Sequence, residues 1–99
     1  MHNPSLTEII ETLRQHKTQF KNRYDIRRLA VFGSRARNEQ RADSDIDILV
    51  QLGDKPLGLQ YFSLVREIAA LFPVKTDVVS QNALKPQYFA AIQKDLHDV

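Results

Sequence analysis

Three aspartates and one Gly-Ser pair are the residues of this 99-residue chain whose types and spacing could do chemistry. Asp45 and Asp47 stand two apart in Ser44-Asp45-Ile46-Asp47-Ile48-Leu49-Val50. On an extended strand, residues two apart leave the same face, so the two carboxylates stand side by side while Ile46 and Ile48 turn to the core. Neighbouring carboxylates raise each other's pKa unless positive charge sits between them. A hard divalent cation such as Mg²⁺, which prefers carboxylate oxygens, supplies that charge. Asp77 lies inside the apolar segment Val74-Lys75-Thr76-Asp77-Val78-Val79. Aspartate is depleted from strand interiors, and a buried carboxylate without a partner is costly. Asp77 should therefore face a cation or the exposed end of a sheet. If its strand lies beside that of Asp45 and Asp47, the three carboxylates form a two-metal site for phosphoryl chemistry.

Gly33-Ser34 supplies the other half. A strand that ends in glycine and turns into a helix lets backbone approach a phosphate closely. The helix start then offers free N–H groups and a positive dipole end, and Ser34 adds a hydroxyl. Arg35 and Arg37 are placed to reach phosphate oxygens, which arginine can grip with two donors at once. Neither a Gly-Ser pair nor an Asp-x-Asp is informative alone. Their combination is: an apolar strand, then Gly-Ser-Arg-Ala-Arg, then Asp-x-Asp opening a second apolar strand with ten residues between Ser34 and Asp45, then a third acid in a later strand. The competing reading is that Asp43, Asp45 and Asp47 merely cap and solvate a strand start.

The elements that must position these groups are legible in outline. Ser5-Leu6-Thr7-Glu8 has the form of a capping box, and Leu6, Ile9, Ile10, Leu13 and Phe20 follow at helical spacing, which predicts a helix from about Leu6 to Asn22. Leu29-Ala30-Val31-Phe32 reads as a buried strand. Ser34 to Glu39 reads as a short helix or turn, and Asn38 to Ser44 as a loop. Asp45 to Val50 is the second strand. Leu59 to Phe72 is a second long helix, ended by Pro73. Val74 to Val79 is the third strand, and a last helix runs from about Pro86 to Lys94, with proline near its first position. Asp95 to Val99 reads equally as a frayed end or a short edge strand. The expected fold is α/β (α+β), with a small mixed β-sheet flanked by helices. With three clear strands and a short first connection, a fully parallel sheet fits poorly.

Length and composition set the remaining bounds. Residues 1–99 make one small domain, with 42% hydrophobic and 26% charged residues, as in an ordinary globular protein. There is no cysteine, which excludes disulfides and thiolate zinc sites. The opening Met1-His2-Asn3-Pro4 is polar, and no apolar run approaches the ~20 residues a membrane span needs. A cytoplasmic protein without membrane contact is expected. The net charge is +2, with Arg14, His16, Lys17, Lys21, Arg23, Arg27 and Arg28 crowded into one stretch. That stretch suits a solvated helix face, a polyphosphate, a nucleic acid or an acidic protein surface. His2, His16 and His97 are scattered and read as surface residues. Tyr24, Tyr61 and Tyr88 read as core or interface aromatics. Lys75 points to the same face as Asp77 and is placed to pair with the acids.

Phe32-Gly33-Ser34-Arg35-Ala36-Arg37 together with Ser44-Asp45-Ile46-Asp47-Ile48-Leu49-Val50 resembles the minimal nucleotidyltransferase (MNT) family of the DNA polymerase beta-like superfamily. The resemblance covers nearly the whole chain. Many relatives carry glycine where this chain has Asn38, a residue that tolerates left-handed backbone. The resemblance implies that Asp45 and Asp47 ligate two Mg²⁺, that Asp77 completes the metal site, and that Gly33 and Ser34 hold the β- and γ-phosphates of ATP. Family members commonly act as antitoxins of HEPN-domain ribonuclease toxins, transferring AMP from ATP to a toxin tyrosine. The resemblance therefore implies a HEPN toxin as partner and no direct contact with nucleic acid. Two alternatives stay open: an antitoxin that neutralises by binding alone, and a small-molecule nucleotidyltransferase of the aminoglycoside-modifying type, for which 99 residues leave little room.

Overall fold

In the computed structural model of the chain, which describes residues 3–99, the capping box at Ser5 is formed in both directions. The Ser5 hydroxyl accepts from Glu8 N–H at 3.2 Å, and Glu8 Oε1 accepts from Ser5 N–H at 3.3 Å. Two of the otherwise orphaned donors at the helix start are thus satisfied. The helix that follows, α1 (Leu6–Tyr24), runs past the expected Asn22 until Asp25 takes a left-handed conformation, φ 51°, and its N–H closes on Lys21 C=O.

The chain then forms β1 (Ile26–Phe32), β2 (Ile46–Leu52), α2 (Gln60–Ala69), β3 (Thr76–Ser80), a 3-10 turn (Gln81–Ala83), α3 (Pro86–Gln93) and β4 (His97–Asp98). The strand β1 begins earlier than Leu29 because Ile26 is buried while Arg27 points to solvent, a pattern that the charges at 27 and 28 conceal in the sequence. The helix α2 is shorter than expected. Leu71 and Phe72 make tightened bonds to Ile68 and Ala69 before Pro73, so the last turn is not α-helical. Asp95–Val99, left open above, contributes the edge strand β4.

The sheet order is β3-β2-β1-β4. β1 is antiparallel to β2 and to β4, while β3 is parallel to β2, so the sheet is mixed as expected. One face carries Leu29, Val31, Ile46, Ile48 and Val50, which pack with Ile9, Leu13 and Phe20 of α1 and with Leu64 and Ile68 of α2 into a single core. Burying each of these large side chains contributes about 1.5–3 kcal/mol. Because successive strand residues alternate between faces, Asp47 and its strand neighbours of the same parity are turned to the face away from α1 and α2. Among the described residues no helix is long and apolar enough to cross a membrane.

Candidate active site

Register decides where the acids meet. In the parallel pair of β2 and β3, Asp47 lies opposite Asp77, and in the antiparallel pair of β1 and β2, Asp47 lies opposite Phe32. Asp47 therefore sits between Asp77 on one neighbouring strand and the end of β1 on the other. Asp45, half-buried, immediately precedes β2. Asp77 is the exposed member, facing the open end of an edge strand. The Asp47 carboxyl is held above the usual carboxylate range by burial first, then by the charges of Asp77 and Asp45, against an opposing pull from Arg37 and Arg35. Burial and the two neighbouring carboxylates thus act in the same direction, and the nearby arginines offset them only in part.

The turn after β1 presses on this cluster. Gly33 has φ 80°, and a Cβ built there would lie 2.1 Å from Asp47 Oδ2. Only glycine permits both the left-handed backbone and the close approach. The segment is a turn and not the helix start considered above. Arg37 N–H reaches Gly33 C=O at 3.2 Å, Asn38 N–H reaches Arg35 C=O at 3.3 Å, and Asn38 then goes left-handed at φ 58°. Asn38, a residue that tolerates left-handed backbone, thus closes the turn. No extended helix dipole is available here. Among the described residues, however, nothing accepts from the N–H groups of Ser34, Arg35 or Ala36. Successive free N–H groups in a turn make an anion-binding concavity in their own right.

The two arginines part company. Arg35 has no exposed surface. Its guanidinium donates to Ser44 C=O from Nε (3.2 Å) and Nη2 (2.6 Å), and from Nη1 to Asn3 Oδ1 (2.6 Å) and Pro4 C=O (3.0 Å). Where the sequence suggested a grip on phosphate, the buried Arg35 guanidinium instead ties the N-terminal segment and the loop before β2 to the turn. Residues two apart in a tight turn face different ways, and Arg37 takes the outer side. It is exposed, bonded to Glu39 and Asp95, and close enough to lower the Asp47 pKa.

The oxygen donors of Asp45, Asp47 and Asp77 suit a hard divalent cation in kind. The unneutralised repulsion at Asp47 is what such an ion would relieve. Among the described residues, no three His, Cys, Asp or Glu side chains yet meet as a closed metal-binding group. Lys75 is exposed and makes no ion pair among the described residues, so it does not serve the acids as considered above. His16 bonds Thr12 C=O and stacks on Phe20, while His97 is exposed, and neither joins the acids. His2 lies outside the described residues. Of the tyrosines, Tyr24 is buried against Glu67, Tyr88 is exposed, and Tyr61 is half-buried with its hydroxyl donating to Val78 C=O at 3.2 Å. Burial, then the charge of Asp77, pushes the Tyr61 phenol up. Its position beside Asp77 follows from α2 packing against β3, which sequence spacing could not supply. A cleft of about 470 Å³ lined by Leu52, Pro56, Leu57, Val79 and Leu84 opens at the far ends of β2 and β3, away from the acids.

The sequence matches the family described as "Polymerase beta, Nucleotidyltransferase" over residues 8–96. It is 41% identical over 93 residues to a Methanocaldococcus jannaschii chain provisionally named protein adenylyltransferase, MJ0128, covering 93% of this chain and 95% of that one. It is 37% identical over 81 residues to the protein adenylyltransferase MntA of Thermococcus cleftensis, covering 82% of each. A solved structure provisionally described as a minimal nucleotidyltransferase superposes with a TM-score of 0.74 at 31% identity, covering 91% of this chain and 95% of that one. A chain in the structure of tri-AMPylated Shewanella oneidensis HEPN toxin in complex with MNT antitoxin shares the fold, with a TM-score of 0.59 at 20% identity, covering 93% of this chain and 66% of that one.

Proposed function

The chain belongs to the polymerase beta nucleotidyltransferase family, and from that premise we propose that it transfers AMP from ATP to a hydroxyl group of a partner protein. The carrying observation is the register that sets Asp47 between Asp77 and Gly33. The acids thereby stand beside the turn whose N–H groups are free to bind an anion. In this reading the free N–H groups after Gly33, with the Ser34 hydroxyl, hold the β- and γ-phosphates, and Arg37 contributes charge at the rim. Arg35 fixes the shape of the turn from behind. The acceptor oxygen attacks the α-phosphorus in line, a new P–O bond forms, and the bond to the bridging oxygen of pyrophosphate breaks. Asp77, the exposed acid, faces the acceptor and takes its proton. Mg²⁺, ligated by Asp45, Asp47 and Asp77, would neutralise the triphosphate and the leaving pyrophosphate.

The names of the relatives support a protein acceptor and an antitoxin role, with a HEPN toxin as partner; the acceptor hydroxyl in this reading is a tyrosine of that toxin. Neutralisation by occlusion alone would leave three mutually repelling acids without a use. The test is incubation of the chain with labelled ATP, Mg²⁺ and a HEPN-domain protein of the same organism. Wild type should add mass to the partner in multiples of AMP, and Asp47→Ala should add none. Equal labelling by the two proteins refutes the assignment.

A further inference from the structure

Arg37 is held between a local carboxylate, Glu39, and a distant one, Asp95. Nε donates to Glu39 Oε2 at 3.1 Å and Nη1 to Asp95 Oδ2 at 2.7 Å. Among the described residues nothing accepts from Nη2, which leaves one edge of the guanidinium unspent. Asp95 is the more sheltered partner, its side chain 25% exposed against 64% for Glu39. Its place is fixed by the fold. It follows α3, with its N–H on Ile92 C=O at 3.0 Å, and precedes β4, which pairs with Ala30 and Val31 of β1. The segment carrying Asp95 is thereby drawn beside the strand that ends at Gly33. Arg37 belongs to the turn after that strand, and its charge already acts on Asp47.

An exposed arginine gives up its rotamer freedom when it grips a phosphate, and a side chain fixed beforehand gives up less. We propose that Asp95 is a positioning residue that holds Arg37 over the Gly33-Ser34 turn, so that the free Nη2 edge receives the β- or γ-phosphate of the nucleotide. The proposal rests on the nucleotidyl-transfer reading and adds to it a residue that touches neither nucleotide nor acceptor.

The test compares wild type, Asp95→Asn, Asp95→Glu, Arg37→Ala and the double variant Asp95→Asn/Arg37→Ala in the full chain. Affinity for labelled ATP and for AMP is measured with Mg²⁺ present, together with KM and kcat for transfer. An ion pair of this exposure converts to a roughly 2- to 5-fold effect. Asp95→Asn should weaken ATP binding and raise KM by that factor, with kcat and AMP affinity unchanged. Asp95→Glu should recover part of the loss, and Asp95→Asn should add nothing in the Arg37→Ala background. Tighter ATP binding by Asp95→Asn would mean that the carboxylate competes with phosphate, which overturns the proposal. So would a loss that persists without Arg37, or one shared equally by AMP. If wild type itself binds no ATP, the transfer reading falls and the proposal with it. If wild type binds ATP and Asp95→Asn matches it, only the proposal falls.

Discussion

Replacing Gly33 by alanine is the sharpest perturbation of the site, because it separates two costs that the structure states individually. The first is backbone strain. With φ at 80°, an L-residue pays about 1–2 kcal/mol for left-handed backbone. The second is steric. The new methyl would lie 2.1 Å from Asp47 Oδ2, and ordinary contact begins at 3.4 Å, so the carboxylate or the turn must retreat by more than an ångström. Displacement of about 1 Å at a reacting centre can cost ~100-fold in rate. Gly58 supplies the control, since its φ is 60° and a Cβ there meets nothing within 4 Å. Gly58→Ala should lose about 1–2 kcal/mol, or roughly 4–15 °C in Tm, and Gly33→Ala at least as much, since the clash with Asp47 adds to the strain. Only Gly33→Ala should also lose about 100-fold in AMP transfer. Stability is read by thermal melting and activity by labelled AMP on the partner at saturating ATP. Wild-type turnover by Gly33→Ala, or an equal activity loss in Gly58→Ala, would refute the reasoning that the Gly33–Asp47 approach shapes the site.

Three further outcomes follow from the same geometry. The Asp47 pKa is raised on folding, so the native chain binds more protons than the unfolded one between the ordinary and the raised value, and stability falls as pH climbs through that window. In EDTA, Asp47→Asn should flatten this fall and melt above wild type at neutral pH while losing transfer; a steeper fall in the variant would contradict the sign. Arg35→Ala leaves the carbonyls of Pro4 and Ser44 without their donor and should cost about 3–5 kcal/mol, seen as a lower denaturation midpoint. A stable Arg35→Ala protein defective only in ATP binding would restore the phosphate role assigned to it from sequence. Tyr24→Phe removes the hydroxyl bonded to Glu67 and should cost about 1 kcal/mol in urea unfolding without touching transfer; a selective activity loss would reveal a link from this pair to the site.

Pattern exposed most of the fold, because α1 and α2 each bury one regular face and β1 and β2 carry short apolar runs buried on both faces. It missed the start of β1, where Arg27 and Arg28 mask the pattern, and the end of α2, where the N–H groups of Leu71 and Phe72 bond three residues back and not four, a choice that residue type does not fix. The acids and the glycine were legible as a group, since an aspartate inside an apolar strand needs a reason to be there. The arginines were not. Arg35 and Arg37 carry the same chemistry two residues apart, and only the path of the turn sends one into the interior and the other to Asp95. Nor could Asp95 be found from spacing, because the pairing of β4 with β1 brings it to Arg37.

The Tyr61 bond has a consequence for assembly. The bonding of β3 to β2 begins with Ile46 N–H on Lys75 C=O, so the odd-numbered residues of β3 face inward and the carbonyls of Thr76 and Val78 face away from the sheet. Tyr61 therefore occupies the middle of an open sheet margin, on Val78 C=O. At the opposite margin, β4 is only two residues long. A sheet closed off in these two ways offers a poor template for strand addition, which protects a small chain from pairing with its own copies. An extended segment docking along β3 would first have to displace the Tyr61 phenol, so the fluorescence of that ring distinguishes a partner that extends the sheet from one that approaches its face.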